Sequence, residues 1–181
     1  MAKVTKIKDY KVTSGDVFFF DNNVWMFLFA PIAGVGGAKQ KAYSGLLANI
    51  LTAGATVFMS SLIISEYMNR SLRLRHKQWE ERTRRVNSDY KKDYRPTDDF
   101  KEAVEIIKTE VRDIMKICMK TPDNFNAISL NDVFRNIEKC DFNDAYYLEM
   151  CKIGKYKLVT DDSDLFEVPD NIEIITYNTD T

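Results

Sequence analysis

Four short β-prone runs divide this chain, and sequence of helical character separates them. They are residues 17–20 (VFFF), 56–59 (TVFM), 156–160 (YKLVT) and 173–177 (EIITY). Each is rich in aromatic or β-branched residues and has the length of a single strand. Between them, apolar residues recur at helical spacing. Phe100, Val104, Ile107, Val111, Ile114, Met115 and Cys118 would share one helix face. Strands that alternate with helices favour a parallel sheet with right-handed crossovers, so the expected fold class is α/β.

Polar and breaker residues punctuate these runs. Residues 1–15 read as a polar lead-in. Asp21-Asn22-Asn23 ends the first run as a turn or helix cap, and Pro31, Gly34, Gly36 and Gly37 mark a loop. A helix runs from Ser44 towards Leu51, and Gly54 ends it. Ser60 or Ser61 caps the next helix, which carries Glu66. Pro96 and Thr97 mark a further break and cap before the 100–120 helix. Thr121-Pro122-Asp123 is another break, and residues 128–139 form a short helix. Asp141 or Asn143 caps a helix starting at Asp144, and Gly154 terminates it. Residues 42–65 carry no charge and are long enough to span a bilayer. Seven small or polar positions dilute the stretch, Gly54 among them. It reads as a buried helix, a turn, a buried strand and a second helix, with no membrane span.

A length of 181 residues suits one domain with a real core, and 45% hydrophobic with 29% charged residues is globular composition. The net charge of -1 hides a polarity. Between residues 70 and 95 stand Arg70, Arg73, Arg75, Lys77, Arg82, Arg84, Arg85, Lys91, Lys92 and Arg95. They face only Glu80, Glu81, Asp89 and Asp93. Beyond Val159 there is no Lys or Arg, but Asp161, Asp162, Asp164, Glu167, Asp170, Glu173 and Asp180 follow. The basic stretch reads as a long solvated helix or helix pair projecting from the domain. Cys118, Cys140 and Cys151 lack metal or redox spacing and read as buried thiols in a reducing compartment. The first residues have no apolar signal core, so the expected location is cytoplasmic. His76 is the sole histidine and lies in the basic stretch, which argues against a Ser-His-Asp or Cys-His triad. Gly34-Val35-Gly36-Gly37 lacks the Lys-Ser/Thr of a phosphate-binding P-loop.

Chemistry is carried by acidic residues at strand and helix boundaries. Asp21 and Asp162 directly follow strands, Glu66 lies on the helix after the second strand, and Asp144 opens a helix. In parallel sheets, sites form outside the carboxyl ends of strands. Carboxylates that converge there without a basic partner repel one another. A hard divalent cation resolves that repulsion and suits phosphodiester chemistry.

Four segments, in order, resemble the PIN-domain nucleases, including toxin ribonucleases of bacterial toxin–antitoxin systems. They are Phe20-Asp21-Asn22-Asn23, then Met59-Ser60-Ser61 through Glu66, then Asp144-Ala145 to Gly154, and Leu158-Val159-Thr160-Asp161-Asp162-Ser163-Asp164. The resemblance implies a three-layer αβα sandwich with about five strands, forming a single domain over residues 1–181 with a basic helical insertion at about 70–120. It implies that Asp21, Glu66, Asp144 and Asp162 are catalytic and bind Mg²⁺ or Mn²⁺, with Asn23 and Ser60 orienting ligands or water. It implies an RNA substrate, and suggests an antitoxin protein partner and a homodimer. The basic stretch would then track the RNA backbone. The chain is longer than the compact toxins, through the basic stretch and the 100–120 helix. A reading from another class is a catalytically silent PIN-like scaffold that engages a protein or RNA partner.

Overall fold

The computed structural model describes residues 2–30, 37–168 and 171–178. Six strands form one sheet in the order β1-β6-β5-β2-β3-β4, with every pairing parallel. The strands are β1 (Lys3–Lys6), β2 (Val17–Phe20), β3 (Thr56–Met59), β4 (Met119–Lys120), β5 (Lys157–Val159) and β6 (Glu173–Thr176). The α-helices are α1 (Asn22–Phe29), α2 (Ala38–Ala53), α3 (Ser61–Thr83), α4 (Asp98–Ile117), α5 (Leu130–Asn136) and α6 (Phe142–Gly154). No helix among the described residues is long and apolar enough to cross a membrane.

The central strands coincide with the predicted runs, because VFFF and TVFM leave their register little choice. Successive side chains of β2 point to opposite faces. The Phe19 ring meets Tyr147 of α6 at 5.5 Å, whereas the Phe20 ring meets Trp25 of α1 at 5.1 Å. Helices therefore cover both faces, which gives the three layers. Phe18, Phe19, Phe20, Trp25, Tyr147 and Leu158 are all buried in the core between them.

Two strands lack a local signal. The predicted polar lead-in contains β1, which pairs with β6 in the register Lys3↔Glu173 to Lys6↔Thr176. As an edge strand it needs no continuous apolar run, so KVTK passes as a tail. The two-residue β4 extends the far edge beside Phe58 and Met59. The sheet thus has six strands where about five were expected. Of the predicted glycine-rich loop, Pro31, Gly34 and Gly36 lie outside the described residues.

Helix boundaries follow their caps. The Ser60 hydroxyl accepts from the Ile63 amide and starts α3, and the Thr97 hydroxyl accepts from Phe100 and starts α4. The Asp141 carboxylate accepts from the Asp144 amide at 3.0 Å and starts α6. Gly54 adopts the left-handed conformation that ends α2. At the end of α6 that role falls to Lys155, with φ of 54°, and Gly154 is needed for a different reason. A Cβ at position 154 would overlap the Tyr156 ring. That ring is held by Phe58, with centroids 4.9 Å apart, and by a 3.1 Å hydrogen bond with Thr121. Gly154→Ala is expected to cost roughly 1–3 kcal/mol, read as a lower urea midpoint with an unchanged m-value.

The basic stretch is better anchored than its composition suggests. The pairs Tyr67–Glu110, Arg75–Glu110 and Arg82–Asp99 descend along α4 as they ascend along α3. The two helices are therefore an antiparallel hairpin. Its far end is pinned by His76, Trp79, Tyr90, Tyr94 and Phe100, whose rings contact one another at centroid distances of 5.0–6.2 Å. Trp79 and Tyr94 are buried there.

Candidate active site at the carboxyl edge of the sheet

The connection leaving β2 leads to β3 on one side, and the connection leaving β5 leads to β6 on the other. Strand order reverses between them, so the two loops diverge and leave a crevice at the carboxyl ends. Asp21 directly follows β2, and its amide donates to the Val159 carbonyl at 2.9 Å. Residues 160–162 directly follow β5. Two of the four predicted acidic residues therefore stand on either side of the switch point.

Thr160 ties the two sides together. Its hydroxyl donates to Asp21 Oδ2 at 2.7 Å. It also accepts from Asn23 Nδ2 at 3.3 Å and from the Asp162 amide at 3.0 Å. Asn23 returns its Oδ1 to the Asp161 amide at 3.3 Å. Asn23 thus fixes the turn after β5, and Ser60 is occupied as the cap of α3. Asp162 opens a 3-10 turn, its Oδ1 accepting from the Asp164 amide at 3.0 Å.

Glu66 reaches the same edge from α3. Its Oε2 accepts from Tyr147 at 2.8 Å and from Asn143 Nδ2 at 3.4 Å, and its Oε1 accepts from Asn22 Nδ2 at 3.2 Å. The Arg70 guanidinium stands 3.6 Å away, one turn along the helix. Asp144 lies in the first turn of α6, one residue from Asn143.

The electrostatics show that the acidic groups sense one another. Burial pushes Asp21 up to about 6 against the opposing Thr160 hydrogen bond, and the charges of Glu66 and Asp162 add to the rise. Burial likewise pushes Asp144 up to about 8, with further contributions from Asp21, Asp141, Asp162 and Glu66. Asp161 differs from its neighbour. Lys39 pairs with it at 2.7 Å and the Tyr43 hydroxyl donates to it at 3.0 Å. It is a neutralised strut between α2 and the β5 turn.

The four predicted side chains thus share one edge, where the charges of Glu66 and Asp162 help to raise Asp21 and Asp144. They do not form a finished coordination shell. Among the described residues, no group of three or more His, Cys, Asp or Glu side chains is disposed to hold a metal ion. Sequence reasoning missed the groups that hold the carboxylates in place. These are Thr160 on Asp21, and Asn22, Asn143 and Tyr147 on Glu66. Thr160 was part of the LVT-x-D segment, but nothing in that segment separates its hydroxyl from an ordinary strand-end threonine.

The architecture is similar to that of a chain in the crystal structure of VapBC2 from Rickettsia felis bound to a DNA fragment from their promoter. The TM-score is 0.57, over 90% of this chain and 99% of that one, at 10% sequence identity. The fold is PIN-like. At that identity the likeness carries the fold alone. No family model and no curated protein matches the sequence. The PIN-like sheet accounts for the order of the four acidic segments, since it brings the ends of β2 and β5 and the starts of α3 and α6 to one edge.

Proposed function

We propose that this protein is a metal-dependent endoribonuclease that hydrolyses RNA phosphodiester bonds, acting as the toxin of a toxin–antitoxin pair. One observation carries the reading: Asp21 and Asp144 are both raised by burial at the switch-point edge, with Glu66 and Asp162 adding to both and Asp21 adding to Asp144. A soluble domain gains nothing in stability from such an arrangement. The donor set fits a hard divalent ion. It consists of carboxylates, and the buried Asn22 Oδ1 beside them has no hydrogen-bond partner among the described residues.

In this reading Asp21 and Asp144 are the central ligands for Mg²⁺ or Mn²⁺, and Glu66 and Asp162 complete the set. The bound cation would neutralise charge on the phosphate and activate water. Thr160 fixes the orientation of the Asp21 carboxylate, and Tyr147 and Asn143 fix Glu66. A ready set of oriented carboxylates is what in-line attack on a phosphate requires. A protein antitoxin and a second copy of the chain are the partners that accompany this reading.

A silent scaffold is the second reading, and the lack of three converged ligands among the described residues favours it. Cleavage of a mixed RNA pool separates the two. The nuclease reading expects cleavage with Mn²⁺ that EDTA abolishes and that Asp21→Asn lowers by at least about 100-fold. Full cleavage by Asp21→Asn would sink it. Absence of both cleavage and a Mn²⁺-dependent rise in melting temperature would leave the scaffold standing.

A further inference from the structure

The far end of the α3–α4 hairpin joins five cations in an unusual way. Arg84, Arg85, Lys91, Lys92 and Arg95 are exposed, and none makes a salt bridge among the described residues. Three of the four nearby acidic side chains also bond the backbone of the loop, and Glu81 is the fourth. Asp89 accepts from the amides of Lys91 and Lys92, each at 2.8 Å. Asp93 accepts from the Asp89 amide at 2.7 Å, and Glu80 from the Ser88 amide at 2.7 Å. These carboxylates shape the loop and keep their charge, and the five cations outnumber the four acidic residues by one. The aromatic cluster packs beneath the loop, and the Arg85 guanidinium lies 4.9 Å over the Trp79 ring. By contrast, Lys101, Lys108 and Lys116 on α4 are each paired with an acidic residue three positions earlier.

We infer that this hairpin tip is a second RNA-binding site, which anchors the phosphate backbone of a substrate engaged at the acidic edge. The inference rests on the nuclease reading above. The tip exposes a single large apolar residue, Val86, at 84%. A protein interface or a lipid surface needs apolar anchors that this loop does not offer. A polyphosphate backbone needs only fixed positive charge. Glu66 and Thr83 lie on the same helix, and a separation of 17 positions places them about 26 Å apart. A stacked strand advances about 3.4 Å per phosphate, so a strand reaching both sites spans about eight nucleotides. The protein would thus prefer extended RNA to short fragments.

The test uses the full chain carrying Asp21→Asn, which is expected to bind RNA with little cleavage, and a fluorescent 20-nucleotide single strand. Arg84→Asn, Lys91→Gln and Lys92→Gln are combined in one variant. A second variant removes the paired charges at Lys101, Lys108 and Lys116, matching the change in net charge. The tip variant is expected to bind at least tenfold more weakly, and its salt slope should shrink by about 2, from three lost phosphate contacts at about 0.7 each. With Asp21 restored, it should raise KM and leave kcat unchanged. The α4 variant should bind as the parent does. Equal weakening in both variants, or unchanged binding by the tip variant, overturns the inference. Competition by polyglutamate as strong as by RNA reassigns the tip to an acidic protein and also overturns it. Wild-type cleavage with no tip dependence defeats this inference alone; no binding and no cleavage defeats the nuclease reading with it.

Discussion

Asp144→Asn is expected to stabilise the metal-free protein at pH 8 while lowering RNA cleavage by at least about 100-fold. The two effects have one origin. Asp144 is pushed up to about 8 by burial first and by neighbouring carboxylates second. For a carboxyl group whose folded pKa lies above its unfolded value, the favourable contribution is complete below the unfolded value of 3.8. It is lost as pH rises, through about 6 for Asp21 and about 8 for Asp144. Between pH 4 and 8 the unfolded chain gives up these protons and the folded chain resists doing so. An amide has no proton to lose, so the variant escapes the penalty. One pKa unit corresponds to about 1.4 kcal/mol. Asp144 is partly exposed and its titration is shared with its neighbours, so a gain on the order of 2 kcal/mol is expected at pH 8. In a chain of this size that is about 4–8 °C in melting temperature. The gain should vanish near pH 4. Added Mn²⁺ should stabilise the parent and not the variant. A variant less stable than the parent at pH 8 in EDTA would show that the Asp144 charge is satisfied in the folded protein.

Thr160→Val is expected to cost roughly 1–3 kcal/mol and to impair cleavage. Valine matches threonine in shape, so the loss isolates the hydroxyl. One buried Asp21 oxygen loses its donor, and the Asn23 side chain and the Asp162 amide lose an acceptor. The Thr160 bond opposes the upward push on Asp21. Without it the Asp21 carboxyl should titrate at still higher pH, and the metal-free variant should lose stability over a window displaced upward. Thr160→Ser keeps the hydroxyl and should recover most of the loss. Equal damage from valine and serine would point to methyl packing instead. Urea unfolding at a series of pH values measures all three proteins on one scale.

The same residues explain how far the sequence could be read. Phe18, Phe19 and Phe20 leave no alternative to a central strand, and the Ser60 and Thr97 caps announce their helices. The acidic residues were legible because each follows a recognisable boundary. KVTK was missed because an edge strand needs only a partner, and that partner lies at residues 173–176. Met119–Lys120 forms a strand only because Phe58 and Met59 offer an open edge. The basic stretch seemed unanchored because Trp79 and Tyr94 are buried by each other across a hairpin, not by a local apolar stripe. The resemblance separates Asp162 from Asp161, but nothing local in the sequence shows what Asp161 does. Lys39, 122 residues away, pairs with Asp161 and makes it a strut.

The pairing of β1 with β6 also sets an order of assembly during synthesis. Lys3 meets Glu173 across a separation of 170 residues. β1 therefore leaves the ribosome long before its partner and waits for it to emerge. Contacts this distant form late because a long loop must close before they can contribute. Thr160 stands between β5 and β6 and orients Asp21, so the carboxyl edge is unfinished over the same interval. A nascent chain that has made β2, β3 and the hairpin but not residues 157–176 has the cationic tip without the completed acidic edge. On the proposed nuclease reading, such a chain would hold RNA before it could act on it.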